Sequence, residues 1–247
     1  MLRIKAADID FDVARGADTE GAAPEESATQ KSQGVWSGVK NLLIGFGQLF
    51  KQKPVLIFLV SAVIFHFANA AMVPLITELL GKNQGVDQAI LFTSGYMVAS
   101  QFVFIIVAAL SGRLASKIGR KPLFLFAFAA LAARGVLYTL SRNPAALIAV
   151  QCMDGLGAGI FGVVAVLIIA DLTKGTGRFN AAQGAIATAQ GIGAFLSNAV
   201  AGYIAHRAGA NTAFYMLGAI AAGGLIFFWL LMPETKDVAH GKQTAAA

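Results

Sequence analysis

Charge is what this chain of 247 residues has least of. Only 13% of its residues are Asp, Glu, Lys or Arg, against 57% hydrophobic, and its mean hydropathy is +0.68. A soluble globular domain carries about twice that charge, so composition excludes one and predicts a polytopic membrane protein. Cysteine is almost missing too. Cys152 stands alone, which rules out a disulfide within the chain and a cysteine-rich metal site. The familiar catalytic spellings are absent: there is no Gly-x-Ser-x-Gly elbow, no His-Glu-x-x-His pair, no phosphate loop and no paired set of intramembrane aspartates. A membrane-embedded enzyme is therefore disfavoured, and no cofactor or metal is expected. No basic stretch leads into a short apolar core at the N-terminus, so a cleaved signal peptide is not expected either.

What the chain has instead is six apolar segments, roughly 55–80, 89–111, 122–140, 144–172, 180–205 and 212–232. Each is near or above the ~20 residues that cross a bilayer. In hydrocarbon every backbone amide must be satisfied within its own segment unless a barrel closes. Barrel strands would alternate in polarity over about ten residues, and no such alternation is present. The expected class is all-α, a polytopic membrane protein with six transmembrane helices.

The basic residues flanking these segments are lopsided. Lys51, Lys53, Arg113, Lys117, Arg120, Lys121, Lys174, Arg178, Lys236 and Lys242 fall on one side, and Lys82, Arg142 and Arg207 on the other. Short basic loops are retained in the cytoplasm, so both termini are expected inside a plasma (cytoplasmic or inner) membrane. The isoelectric point near 9.6 follows from this bias and is no sign of nucleic-acid binding.

Two stretches share one pattern. Gly112-Arg-Leu-Ala-Ser-Lys-Ile-Gly119 recurs as Gly202-Tyr-Ile-Ala-His-Arg-Ala-Gly209, each between the second and third segments of a three-segment unit. An odd number of spans per unit places the two copies in opposite orientations, the arrangement of inverted three-helix repeats in secondary transporters. Gly112 and Gly119 are expected to serve a tight turn between the second and third segments.

The ends differ from the middle. Residues 1–34 scatter Asp8, Asp10, Asp12, Asp18, Glu20, Glu25 and Glu26 among small residues and read as a disordered acidic tail on the cytoplasmic side. Over 35–53, Trp36, Val39, Leu42, Leu43, Phe46, Leu49 and Phe50 recur at helical spacing opposite Lys40, Asn41, Gln48 and Lys51. That segment reads as an amphipathic helix on the membrane surface, or packed against the ends of other spans. The bundle is expected over 54–232, with a cytoplasmic tail over 233–247.

With these residues in view, Gly112-Arg-Leu-Ala-Ser-Lys-Ile-Gly-Arg-Lys121 resembles the loop signature of the major facilitator superfamily, Gly-x-Leu-Ala-Asp-Arg-x-Gly-Arg-Lys, between the second and third helices of each half. Gln151-Cys-Met-Asp-Gly-Leu-Gly-Ala-Gly159 resembles the glycine-rich fourth helix of a half, and Pro233-Glu-Thr235 the ending that follows the twelfth. The resemblance covers about residues 40–237 and is to a C-terminal half alone, with the acidic tail similar to the loop joining the halves. It implies two six-helix halves around a central path, so the missing half is expected as a separate chain, a second copy, or the lost part of a truncated frame. Ser116 departs from the signature, where the resemblance implies an Asp that anchors a gating contact; Arg113, Lys117, Arg120 and Lys121 are retained.

Ionisable and amide side chains inside the spans are the leading site candidates, because each is costly in hydrocarbon. His66 and Asn69 lie three apart in the first segment, as do Gln151 and Asp154 in the fourth, so each pair shares a face. The resemblance implies that these two segments line the cavity. His66 or Asp154 would carry a coupling proton, Asp154 first; for His66 and Asn69, hydrogen bonding that only holds the bundle together is the competing reading. Arg134 lies ~10 Å deep and Asp154 ~13 Å deep at ~1.5 Å per residue, so they either pair or Arg134 snorkels outward. Asp171 is expected to form a charge latch with Arg113, Lys117, Arg120 and Lys121, unless those four are only a solvated basic loop.

Three functions follow from this reading. The first is a secondary active transporter half moving a small-molecule solute by alternating access with proton coupling, as symporter or antiporter, efflux included. The second is a half that folds in the lipid bilayer and does not transport without a second six-helix half. The third, an enzyme, is disfavoured by the absences above.

Overall fold

The computed structural model describes residues 51–236, without the side chains of residues 83 and 84. The acidic tail, nearly all of the surface-helix segment, and residues 237–247 lie outside the described residues. Within them the chain is helical, with no strand: α1 Lys53–Ala70, α2 Met72–Gln84, α3 Val86–Ile118, α4 Arg120–Leu140, α5 Pro144–Thr173, α6 Phe179–Ala208 and α7 Ala210–Leu231. The helices α1 and α2 together make the first apolar segment, so seven helices form six spans.

Five of the six spans are long and apolar enough to cross a membrane. The sixth, α6, matches α5 in length at 30 residues but falls short in apolarity. The physical reason is its content of Asn180, Gln183, Thr188, Gln190, Ser197 and Asn198.

Pro74 lies inside the first apolar segment, where a proline kinks or breaks a helix. The structure divides it at Ala71, because Pro74 has no N–H to give the Ala70 carbonyl. The buried Ala71 N–H is taken by Ser197 Oγ of α6 at 3.0 Å. Thus a hydroxyl from another span takes up a backbone N–H at the break, alongside the Asn69 carbonyl of α1 itself.

The basic motif departs from expectation. Gly112 is not in a turn, since α3 runs on to Ile118 and closes its own hydrogen bonds through the signature. The turn is Gly119 alone, with φ 105°, and its counterpart Gly209 has φ 87°. A side chain at Gly119 would also strike Glu234, with Cβ 2.4 Å from Oε2, so glycine is required there twice over.

Helix packing follows the repeat. The most extensive contacts are α3 with α5, α1 with α6, and α4 with α7. Exchanging the first three spans for the last three maps this set onto itself. Small residues set the spacing of two of these pairs: a Cβ on Gly155 would lie 2.1 Å from the Ser100 carbonyl of α3, and one on Gly193 would lie 2.4 Å from the Val63 carbonyl of α1. A Cβ on Gly184 or Gly191, also in α6, would meet nothing within 4 Å.

The core is aromatic. Phe58, Phe65, Phe124, Phe128, Phe161 and Phe228 are buried and in ring contact, with centroids 4.6 Å apart for Phe124 and Phe228 and 4.8 Å for Phe65 and Phe161. The Phe-rich run in α4 therefore splits by helical face, with Phe126 outward and its neighbours at 124 and 128 inward.

Candidate functional site

Among the described residues, two clusters built on a buried ion pair interrupt this apolar bundle. The first lies within the spans and joins α1, α4 and α5. Arg134 is the largest fully buried side chain, and its Nη1 donates to Asp154 Oδ1 at 2.6 Å and to Asn69 Oδ1. The guanidinium side chain is 1% exposed and the carboxylate 21%, so the pair is desolvated on one side and open on the other. Gln151, also buried, donates from Nε2 to Asp154 Oδ2 at 3.1 Å, which occupies both carboxylate oxygens. Tyr138 closes the chain by donating its hydroxyl to Gln151 Oε1, and its ring lies beneath the Arg134 guanidinium at 5.5 Å.

Of the five intramembrane candidates, Asn69, Arg134, Gln151 and Asp154 are brought together, and Arg134 pairs inward instead of snorkelling. His66 does not join them by hydrogen bond. Its Nδ1 lies 3.1 Å from the Ala62 carbonyl of its own helix, and its ring packs edge-on against Phe161 at 4.7 Å. Sequence reasoning passed over Tyr138, which the four-residue step from Arg134 places on the same face of α4.

Chemically the arrangement has one notable property. Arg134 keeps Nε and Nη2 buried without a hydrogen-bond partner among the described residues. Removing either charge of this pair strands the other in a low-dielectric interior. Among the described residues no group of His, Cys, Asp and Glu is arranged to hold a metal ion.

The second cluster lies at the basic end of the bundle, where α3 meets α4. Arg120 Nε donates to Asp171 Oδ2 at 3.0 Å, with both side chains about nine-tenths buried. Thr235 Oγ1 donates to the same oxygen at 3.1 Å. Of the four expected cations only Arg120 pairs with Asp171. No carboxylate among the described residues pairs with Arg113, Lys117 or Lys121.

Glu234, quoted above only as part of a resemblance, is central here. Its Oε1 accepts the backbone N–H groups of Arg120, Thr235 and Lys236 at 2.9, 2.9 and 3.0 Å, and its Oε2 accepts that of Lys121 at 3.0 Å. Gly119 has no side chain to cap α4, so a carboxylate from beyond the last span caps it instead. Burial alone would raise the Glu234 pKa, but the four N–H donors outweigh it and hold the carboxyl below its ordinary value. The Lys236 ammonium adds a bond to the Lys117 carbonyl at 2.7 Å, so the segment after α7 is fastened to both sides of the turn.

Comparison with known proteins gives consistent relatives. The family model of the Major Facilitator Superfamily matches residues 57–247. The chain is 46% identical over 236 residues to the uncharacterized MFS-type transporters MT2531 and Rv2456c of Mycobacterium tuberculosis, covering 96% of this chain and 53% of each of those proteins. It is 28% identical to the inner membrane transport protein YajR of Escherichia coli over 66% of this chain and 35% of that protein. The chain thus spans about half the length of these two mycobacterial relatives.

Proposed function

The chain belongs to the major facilitator superfamily, and from that premise we propose that it forms the six-helix half of a proton-coupled secondary transporter that moves a small solute by alternating access. The observation that carries this reading is the Arg134–Asp154 pair, with its Asn69, Gln151 and Tyr138 partners, inside an otherwise apolar bundle. An intramembrane charge is retained where a pathway or a proton relay uses it. Asp154, the more exposed partner, takes the coupling proton, and Arg134 is the fixed charge that makes protonation depend on what else is bound nearby. His66 lines the same path without belonging to the relay. The basic end faces the cytoplasm, and the Arg120–Asp171 pair with Glu234 is the latch that closes that end in one access state.

A second reading is favoured by the surfaces of α3 and α6. Leu91, Phe102 and Phe195 are 72, 66 and 74% exposed on faces that the bundle does not cover. Such faces suit a second six-helix unit, from a separate chain or a second copy, and on this reading the half folds alone but transports only with that partner.

A solute accumulation screen in cells carrying this chain, with and without a protonophore, tests both. Protonophore-sensitive flux that disappears in Asp154→Asn supports the first reading. Flux that arises only on co-expression of a first six-helix half supports the second. Flux unaffected by both protonophore and Asp154→Asn overturns the assignment of Asp154.

A further inference from the structure

An open groove of about 500 Å³ runs along the outside of the bundle, between α3 and α4 and over α5. Leu110, Leu114 and Ile118 form one wall, Pro122 and Phe126 the other, and Ile160 is in its floor. All but Ile160 are exposed, and none of the lining belongs to the buried cluster around Asp154. The one hydroxyl in the lining, Ser111, is spent on the Val107 carbonyl of its own helix at 2.7 Å. The groove therefore offers hydrocarbon contact and no directed hydrogen bond.

One end of it is charged. Ile118 and Pro122, both in the lining, flank the Gly119 turn, and Lys117 and Lys121 immediately precede them in sequence, so two cations belong to the turn at this end of the groove. The acidic groups at this end are already engaged: Asp171 holds Arg120 and Thr235, and Glu234 holds four backbone N–H groups. Ser116 adds no charge to the turn, and its hydroxyl bonds back to the Gly112 carbonyl at 3.1 Å. Lys117 and Lys121 thus have no carboxylate partner among the described residues, at the same turn that ends the apolar groove.

We propose that this is a binding site for an anionic phospholipid, with an acyl chain in the α3–α4 groove and the phosphate against Lys117 and Lys121. The complementarity is double: an apolar chain meets the groove, and a negative headgroup meets the lysines at membrane-surface depth. A zwitterionic lipid satisfies the groove but brings its own cation to the lysines. A free phosphate satisfies the lysines and leaves the groove empty.

Native mass spectrometry of the purified full chain tests this with phosphatidylglycerol, phosphatidylcholine of identical acyl chains, and glycerol phosphate as the headgroup alone. The expected result is retention of phosphatidylglycerol over phosphatidylcholine, with the preference falling roughly fivefold per lysine in Lys117→Gln and Lys121→Gln. Leu110→Trp, which fills the groove and keeps both lysines, is expected to weaken retention of both lipids. Should a lysine variant not fold, raising the ionic strength over the wild type must erase the same preference. Equal retention of the two lipids, an unchanged preference in the lysine variants, or displacement of phosphatidylglycerol by glycerol phosphate overturns the proposal.

Discussion

Replacing Asp154 by Asn keeps the shape of the side chain and removes its charge, leaving Arg134 as a buried cation. The Arg134 side chain is 1% exposed, and two of its donor nitrogens are already without partners, so nothing nearby is free to take over from the carboxylate. Breaking one side of a buried pair costs about 3–5 kcal/mol. Asp154 is 21% exposed, which lets water relieve part of this and puts the expected cost near the lower end, about 3 kcal/mol. For a chain of this size that is a fall of roughly 6–12 °C in the midpoint of thermal unfolding in detergent. Arg134→Gln is expected to cost a similar amount. The double replacement Arg134→Met with Asp154→Leu strands no charge and should lie close to wild type. With Arg134→Met and Asp154→Leu as the matching single variants, each expected to cost about 3 kcal/mol, the cycle predicts a coupling of about 6 kcal/mol, with the double variant more stable than either single one. Single variants that each cost under about 1 kcal/mol and add to the double would show that Arg134 reaches solvent, and would refute the account of a buried, mutually dependent pair.

Other consequences follow from the packing and the turn. Glu234 has a depressed pKa, so its contribution to stability is full above its ordinary value of 4.5 and is lost as pH falls through the lower folded value; Glu234→Gln should flatten that acid limb of a melting curve and cost about 1 kcal/mol at neutral pH, as a lost cap does. Gly155→Ala drives a methyl into the Ser100 carbonyl and should destabilise by about 1–3 kcal/mol, whereas Gly162→Ala, with open space around it, should be neutral or slightly stabilising by chemical denaturation. Ser197→Ala leaves the buried Ala71 N–H with only the Asn69 carbonyl of its own helix and is expected to cost about 1 kcal/mol, read as faster amide exchange at the α1–α2 break.

The parts of this structure that could be read from sequence depend on length and depth along a span. Six apolar segments fixed six spans, and a rise of ~1.5 Å per residue put Arg134 and Asp154 at depths that allow pairing. What could not be read depends on rotation and on distant partners. Arg113, Lys117, Arg120 and Lys121 are equivalent as charges near Asp171, and only the burial of the Arg120 side chain at the start of α4 selects it. Glu234 is more than a hundred residues from the turn it caps, and its role exists only because Gly119 leaves the first N–H groups of α4 unclaimed. Gly112 resembled a turn residue, yet a helix continues through it because a polar helix end emerging into water costs no hydrogen bond. Tyr138 carries no charge at neutral pH and so gave no signal of its own, although its spacing from Arg134 contained the information. His66 shares a face with Asn69 on a helical wheel but satisfies itself on Ala62, a choice between backbone and tertiary partners that spacing does not decide.

On the function proposed here, Asp154 takes the proton that drives transport. The measurement that bears on it most directly is proton movement in proteoliposomes containing this chain, together with its second half if flux requires one, followed by a trapped pH-sensitive dye while a transported solute is added. The account predicts a solute-dependent proton flux in the wild type that is absent in Asp154→Asn and restored in part by Asp154→Glu. Solute-dependent proton flux that persists in a folded Asp154→Asn protein would contradict it.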